Sequence, residues 1–87
     1  MSDFKDVSVG HLILRIVRAI VDRPDDVTIE TVLAPDGGTF AIRVHPEDIG
    51  ELIGKQGRNI KSIRLIVGGA GMKLRRRFMV AIPVDSD

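Results

Sequence analysis

The first third of the chain carries the apolar pattern of an amphipathic helix. In residues 9–21 the apolar positions repeat at intervals of three and four residues, which places them on one helical face. Asp6 and Ser8 are candidate caps for the start of this helix, and Pro24 lies just beyond its end. The apolar stripe is wider than a lone surface helix needs, so this helix is expected to pack against other elements on more than one side.

Alternating apolar and polar positions predict three strands. Residues 27–33 are rich in β-branched side chains, and residues 39–45 alternate regularly, so the turn-forming residues 35–38 between them complete a β-hairpin. Residues 72–82 predict a last strand. Arg76 falls on the apolar face of this segment, so it lies either near a sheet edge or where the alternation slips.

Two further helices are predicted between the hairpin and the last strand. Pro46 suits the first helical position of the second helix, which stops at Gly54. The third helix runs from about Arg58 and is expected to end at Gly68-Gly69. The predicted order is therefore α-β-β-α-α-β, a two-layer α+β fold with helices on one face of a three-stranded sheet.

Length and composition fit one small domain. With 87 residues the chain has room for a single domain, residues 1–87 with a core at about 7–84. The absence of cysteine excludes disulfides and cysteine-based metal sites or nucleophiles. The acidic N-terminus and the absence of an apolar run of about 20 residues give no sign of a signal peptide or a membrane span. A cytoplasmic location is the simplest expectation.

The net charge of +1 conceals a separation of charge along the chain. Residues 1–51 carry ten Asp and Glu against five Lys and Arg, whereas residues 52–84 carry eight Lys and Arg and no acidic residue. A basic half with an acidic counterweight indicates a polyanionic partner on one side of the fold. A solvated basic surface is the alternative interpretation.

The most informative motif is Gly54-Lys55-Gln56-Gly57. A GxxG tetrapeptide alone is weak evidence, and Gly68-Gly69-Ala70-Gly71 is a second one in the same chain. Their contexts differ, because residues 54–57 join two short amphipathic helices, whereas residues 68–71 are expected only to connect a helix to a strand. Residues 54–57 are called the GxxG loop below.

With the flanking aliphatic residues, the segment Ile53-Gly54-Lys55-Gln56-Gly57-Arg58-Asn59-Ile60 resembles the KH-domain signature, an aliphatic residue followed by G-x-x-G-x-x-I. The element order is similar to the KH type II arrangement, and the size resembles the small bacterial stand-alone KH proteins of the KhpA kind. The resemblance covers nearly the whole chain. It implies a non-catalytic groove that holds about four nucleotides of single-stranded RNA, or less often DNA.

Elementary chemistry supports the same site. Two glycines allow the loop to bring its backbone close to a sugar-phosphate chain, and the start of the third helix offers free N–H groups. Lys55 and Gln56 are expected to meet the RNA backbone, and Arg58 and Lys61 to extend the phosphate track. The resemblance implies an aliphatic floor for bases, formed by Ile49, Ile53 and Ile60, although each of these fits a core position equally well; Ile63 is the clearer core candidate.

The basic residues of the last strand leave two interpretations open. Lys73, Arg75, Arg76 and Arg77 form either a solvated strand face or the far wall of the groove, and Arg75 and Arg77 are the candidates for RNA contact. The chain has no Trp or Tyr and three Phe, so it lacks the aromatic platform on which other RNA-binding folds stack bases.

Enzymatic and assembly functions are the alternatives. Residues 50–56 resemble a P-loop only superficially, with three residues between the glycines instead of four and Gln56 where Ser or Thr must hold magnesium. His11 and His45 lack partners at metal-ligand spacing, so no enzyme, metal, cofactor or small-molecule substrate is predicted. The apolar stripe of the first helix favours assembly, either as a homodimer or as a heterodimer with another KH or RNA-binding protein, which would raise avidity for RNA.

Overall fold

The computed structural model describes residues 2–84, with the backbone alone for residues 2–4. It contains helices α1 (Ser2–Ile20), α2 (Ile49–Ile53) and α3 (Arg58–Leu74) and strands β1 (Thr28–Ala34), β2 (Gly37–Arg43) and β3 (Arg77–Ala81). Single 3₁₀ turns occur at Pro24–Asp26, Pro46–Asp48 and Lys55–Gly57. The predicted α+β class and the order α-β-β-α-α-β are confirmed.

The three strands form one mixed sheet in the order β1-β2-β3. β1 and β2 pair in antiparallel fashion, whereas β2 and β3 run parallel because α2 and α3 carry the chain back across the sheet. The hairpin is tighter than predicted, since Ala34 pairs with Gly37 and only Pro35 and Asp36 remain as the turn. β3 is an edge strand, so one side of its backbone pairs with no other strand of this sheet.

The core lies between the helices and one face of the sheet. Phe40 and Ile42 of β2 are fully buried there, and the ring of Phe40 meets that of Phe78 edge to face with centroids 5.3 Å apart. From α1, Ile13 and Val17 pack into the same cluster, as the helical period predicts. The opposite face of the sheet exposes side chains such as Val32 and Met79, so the helices cover one face only.

Helix α1 begins earlier than the apolar pattern indicates. It starts at Ser2, so neither Asp6 nor Ser8 is its cap, and both lie within the helix. Asp6 is fully buried, and its carboxylate accepts hydrogen bonds from Nε and Nη2 of Arg76 at 3.2 and 2.5 Å. The same guanidinium donates to the carbonyl oxygens of Ala34, Pro35 and Gly37. Arg76 therefore ties the first turns of α1 to the β1–β2 turn.

Helix α3 is longer than predicted, and the expectation that it ends at Gly68-Gly69 is wrong. It continues through both glycines to Leu74, so residues 68–71 are part of the helix rather than a connection. The buried positions Ile63, Val67 and Gly71 keep the helical period and pack towards β3, which outweighs the roughly 1 kcal/mol that a mid-helix glycine costs.

The end of α3 corrects the last strand as well. Arg75 adopts the left-handed conformation at φ +58°, and the Arg76 N–H donates to the Gly71 carbonyl oxygen at 2.8 Å, a common way for a helix to stop. β3 therefore starts at Arg77 rather than at residue 72. Arg76 precedes the strand, which explains its mismatch with the alternating pattern.

Candidate nucleic-acid interface

The GxxG loop is a tight turn between α2 and α3. The Gly54 N–H closes α2 by donating to the Gly50 carbonyl oxygen at 2.8 Å, and the Gly57 N–H donates to the Gly54 carbonyl oxygen at 3.0 Å. Gly54, Gln56 and Gly57 have φ values of +80°, +58° and +73°. Residues other than glycine rarely adopt such φ values. The loop therefore depends on its two glycines for its backbone conformation.

The two glycines are required for different reasons. A Cβ on Gly54 would lie 2.7 Å from Cγ of Asn59 and 2.9 Å from the Asn59 backbone nitrogen. A Cβ on Gly57 would meet no atom nearer than 3.9 Å, on Lys61. Gly54 is therefore constrained by both its backbone conformation and its neighbours, and Gly57 by its backbone conformation alone.

The side chain of Asn59 links α2 and α3 across the loop. Its side-chain Nδ2 donates to the Glu51 carbonyl oxygen at 2.7 Å, which joins the first turn of α3 to the last turn of α2. This carbonyl belongs to the end of α2, where carbonyl groups have no partner within the helix. The sequence interpretation did not single out Asn59. Its position inside the motif and its capacity to donate were the only signals for it.

Polar side chains surround the loop. Lys55, Gln56, Arg58 and Lys61 are all exposed, so the structure brings these four predicted residues together at one end of the molecule. The N-cap of α3 is Gly57, which has no side chain to bond the first N–H groups of this helix. The start of α3, whose N-cap bonds none of its N–H groups through a side chain, thus lies beside positive charge, the combination that anions favour.

The three isoleucines of the predicted aliphatic floor differ in accessibility. Ile49 and Ile53 on α2 are half-buried, whereas Ile60 on α3 is only 6% exposed and belongs to the core cluster. Ile63 is fully in the core, as predicted. Accessible aliphatic surface beside the loop therefore comes from α2. Ile49 also lines a small cavity of about 130 Å³ with Val44 and Pro83.

A second basic position faces the edge strand. Arg64 lies one helical turn after Lys61 on α3, and its Nη2 donates to the Val80 carbonyl oxygen on β3 at 3.2 Å. It borders a cavity of about 280 Å³ whose other lining residues are Val67, Phe78, Met79 and Val80. The sequence interpretation counted Arg64 among the basic residues but assigned it no role.

Arg75 and Arg77 lie far from the loop. They border a cavity of about 460 Å³ at the opposite end of α3. This helix has 17 residues and is therefore about 25 Å long. Both side chains are exposed. The structure thus separates the predicted site residues into two groups, one at each end of α3, with Arg64 between them.

A group of carboxylates lies behind the loop. Oxygen atoms of Asp22, Asp48 and Glu51 all lie within 4.8 Å of one another. Asp48 is buried and accepts from the backbone N–H of Arg23 at 3.0 Å, and the Arg23 guanidinium, with Nη1 at 3.5 Å from Oδ1, compensates its charge. The protonated carboxyl of Glu51 donates a hydrogen bond to the Asp22 carboxylate, and this bond, together with repulsion between the two carboxylates when both are ionised, raises the pKa of Glu51. This group is not evident from the sequence, because Asp22 is remote along the chain from Asp48 and Glu51.

The two histidines lie in different surroundings. His45 Nδ1 accepts from the Glu47 N–H at 3.1 Å, so this side chain caps the start of the Pro46–Asp48 turn. His11 is exposed on α1. Within residues 2–84, no helix has both the length and the apolar character needed to cross a bilayer.

Comparison with known proteins gives the family. The model of the KhpA/KhpB KH domain matches residues 11–82, which include every strand and the whole GxxG loop. The chain belongs to this KH family. KH proteins of this kind are non-enzymatic, and the KH domain here keeps both signature glycines.

Its relatives are bacterial proteins of similar length. The KH domain is 39% identical over 72 residues to the RNA-binding protein KhpA of Clostridium perfringens, covering 83% of this chain and 96% of that protein. It is 38% identical over 74 residues to RNA-binding protein KhpA of Caldanaerobacter subterraneus, covering 85% and 99%. It is 45% identical over 56 residues to RNA-binding protein KhpA of Mycobacterium leprae, covering 64% and 70%. No solved structure matches significantly.

Proposed function

We propose that this KH domain binds single-stranded RNA without catalysis, with the GxxG loop against the sugar-phosphate backbone. The observation that carries the proposal is the loop itself. Two glycines at positive φ leave its backbone unobstructed beside the uncapped start of α3, and four exposed polar side chains surround it. Its relatives named RNA-binding protein KhpA support the choice of RNA as ligand.

In this proposal each group of residues has a distinct task. Lys55 and Gln56 contact the backbone of the RNA, and Arg58 and Lys61 neutralise the following phosphates. Ile49 and Ile53 offer half-buried aliphatic surface to bases, while Ile60 supports them from the core. A strand that continues along α3 and the edge of β3 reaches Arg75 and Arg77, the second basic group.

The proposed cellular role fits the small number of nucleotides that one KH groove holds. A single site of about four nucleotides binds weakly and exchanges readily, which suits bacterial post-transcriptional regulation or RNA chaperoning in the cytoplasm. The type II arrangement is part of the same proposal, supported by the α-β-β-α-α-β order and the mixed sheet.

Binding of a pool of short single-stranded RNAs, measured at several salt concentrations, tests this function. We expect the Lys55→Asp/Gln56→Asp variant to lose at least tenfold in affinity, with a shallower salt dependence than the wild type, because each phosphate contact contributes a slope of roughly 0.7. Aspartate tolerates the left-handed conformation of residue 56, so the loop is not strained further.

A charge-matched control is available on α1. Arg15→Asp/Ala19→Asp changes the net charge by the same amount at two exposed positions outside the loop. Circular dichroism establishes that all three proteins are folded. Equal weakening by both double variants would reduce the effect to net charge and contradict a specific site at the loop.

Assembly of KH domains is the second candidate function, and exposed apolar side chains favour it. Most apolar side chains of the α1 stripe pack in or against the domain's own core, so the predicted pairing surface on this helix is small. The outer face of α3 is more exposed, with Leu65 at 77% and Met72 at 83%. Equilibrium sedimentation tests self-assembly. We expect a dimer that Leu65→Ser/Met72→Ser dissociates, and a wild type that stays monomeric at high concentration would exclude the homodimer.

A further inference from the structure

Strand β1 forms the edge of the sheet opposite β3. The order β1-β2-β3 leaves the outer side of β1 unpaired with any strand within residues 2–84. Successive residues of a strand direct their N–H and C=O groups to alternate sides, so about half of the seven residues of β1 present backbone groups to this open edge. All of them except Ile29 are exposed. Such an edge is a template for another extended chain.

A cavity of about 400 Å³ lies between this edge and helix α1. Val7, Gly10 and Leu14 of α1 form its apolar wall. Its volume falls within the roughly 300–1,000 Å³ typical of ligand pockets. The groove that this cavity forms with the free edge of β1 is called the α1–β1 groove below.

The inner face of β1 points towards the α1–β1 groove. Ile29 and Thr31 line the cavity, and they pair with the buried residues Ile42 and Phe40 of β2. Paired residues of an antiparallel ladder direct their side chains to the same face, so all four lie on the helix side of the sheet. A chain that paired with β1 would direct every second side chain to this side, into the cavity.

The cavity is open partly because residue 10 is glycine. Gly10 is buried within α1, and a Cβ there would lie 3.4 Å from Cε1 of Phe40 and 3.5 Å from Oγ1 of Thr31, which are ordinary contact distances. Alanine would therefore fit, and it is the better helix former. Because Gly10 lines the cavity, the added methyl group would occupy part of its floor.

The rim of the α1–β1 groove is basic. His11 and Arg18 line the cavity and are exposed, and none of its lining residues is acidic. Nε of Arg18 donates to the Pro24 carbonyl oxygen at 3.2 Å, which holds the guanidinium near the start of β1. Asp25 and Asp26 precede β1 but do not line the cavity. An occupant therefore gains from an acidic side chain beside its apolar one.

An extended peptide fits the edge, the cavity and the rim together. Phosphate oxygens only accept hydrogen bonds from protein groups, so an RNA backbone would leave the carbonyl groups of this edge without donors. A second copy of this chain would bring a second basic α1 surface to the groove. The acidic residue of its own β1, Glu30, already pairs with Arg43.

We propose that the α1–β1 groove binds an extended acidic segment of another protein. This segment adds to the sheet beside β1 as a fourth strand and inserts an aliphatic side chain into the cavity. The RNA path proposed above follows α3 and β3, at the other edge of the sheet, so peptide and RNA occupy different surfaces. The inference does not depend on the RNA-binding function.

Peptides selected on the immobilised KH domain from a phage-displayed library of random nine-residue sequences are the probes. We expect the enriched peptides to combine an aliphatic residue with neighbouring Asp or Glu, and to bind the wild type with micromolar dissociation constants in fluorescence anisotropy. On binding, amide hydrogen exchange measured by NMR should slow in residues 28–34 and stay unchanged in the GxxG loop. That pattern is specific to strand addition.

Gly10→Ala is the decisive variant. We expect it to bind the selected peptides about fivefold more weakly, the loss that corresponds to exclusion of one buried methyl group, while its Tm is not below that of the wild type. Gly68→Ala is the matched control, because it makes the same substitution within α3 with no atom within 4 Å of the added Cβ. It should bind the peptides as the wild type does.

Arg18→Gln tests the charge of the rim. Replacing Asp and Glu of a selected peptide with Asn and Gln should weaken its binding to the wild type roughly threefold, as expected for an exposed charge pair. The Arg18→Gln variant should bind the two versions of the peptide equally.

The contrary results are distinct. Absence of enriched peptides, or equal binding of selected peptides to the wild type, Gly10→Ala and Arg18→Gln, would overturn the inference. A wild-type dimer whose β1 amides are protected without peptide would also overturn it, because a second copy would then occupy the edge. Failure of RNA binding at the GxxG loop would contradict the proposed function and leave this inference standing.

Discussion

Replacing each loop glycine with alanine separates the two constraints on the GxxG loop. Gly54 has φ +80° and ψ 169°, a region that is essentially restricted to glycine, and its Cβ would lie 2.7 Å from Cγ of Asn59. Gly57 has φ +73° and ψ 18°, the left-handed helical region, with no atom within 3.9 Å of a Cβ. We therefore expect Gly54→Ala to destabilise the protein more than Gly57→Ala.

The magnitudes follow from the two conformations. Left-handed backbone costs an alanine about 1–2 kcal/mol, and removal of a glycine from the unfolded chain returns about 0.4–1 kcal/mol, so Gly57→Ala should cost about 1 kcal/mol. The conformation of Gly54 costs up to about 3 kcal/mol, and the contact with Asn59 adds to this, so Gly54→Ala should cost about 2–3 kcal/mol. Domains of this size are stable by roughly 4–13 kcal/mol, so both variants should fold.

Urea unfolding followed by circular dichroism measures both values, with an unchanged m-value as the check that the two-state description holds. In thermal unfolding the loss for Gly54→Ala should lower the Tm by about 10–20 °C. Combining Gly54→Ala with Asn59→Ala should cost less than the sum of the single changes, because the close contact with the Asn59 side chain is gone. Equal costs for the two glycines, or strict additivity with Asn59→Ala, would refute this account of the loop.

Four further substitutions test the buried ion pair, helix α3 and the carboxylate group. Asp6→Ala should lower the free energy of unfolding by about 3–5 kcal/mol in urea unfolding, because it leaves the guanidinium of Arg76, only 12% exposed, without its buried partner. Gly68→Ala should raise the free energy of unfolding by about 0.5–1 kcal/mol, because no atom lies within 4 Å of the added Cβ. Gly71→Ala should lower the free energy of unfolding, because its Cβ would lie 2.6 Å from the backbone oxygen of Arg76. Glu51→Gln should raise the Tm at pH 7, with a gain that disappears as the pH falls through the raised pKa of Glu51, where the wild-type carboxyl is protonated.

Each of these expectations has a contrary result. A loss below 1 kcal/mol for Asp6→Ala would mean that the ion pair with Arg76 is exposed to water like a surface pair. A lower free energy of unfolding for Gly68→Ala would mean that other atoms already cover this face of α3. A gain for Glu51→Gln that grows at low pH would contradict the sign of the pKa shift, because a group with a raised pKa favours the folded state most when protonated.

The features that depend on local geometry were predictable from the sequence. The helical period of residues 9–21 and the alternation of the strands lead to the α-β-β-α-α-β order, because each repeat reports which side of an element is buried. The GxxG loop was identifiable for the same reason. Its two glycines, the helix before it and the aliphatic residues around it lie within a few residues of one another, so their combination is visible in the chain.

The contacts between residues that are distant in sequence became visible only in the folded chain. Asp6 and Arg76 are 70 residues apart, and nothing local marks one as the buried partner of the other. The glycines of α3 predicted a helix end, but packing of Val67 and Gly71 towards β3 carries the helix through them.

The arrangement of the basic residues was likewise decided by tertiary structure. Arg75 was expected in one groove with the loop, yet the added length of α3 places it about 25 Å away. Arg64 of α3 donates a hydrogen bond to the edge strand β3, a contact that its sequence neighbours do not indicate. Local patterns fix elements because their causes are local, whereas the site's extent depends on burial and charge pairing between segments that meet only in the folded chain.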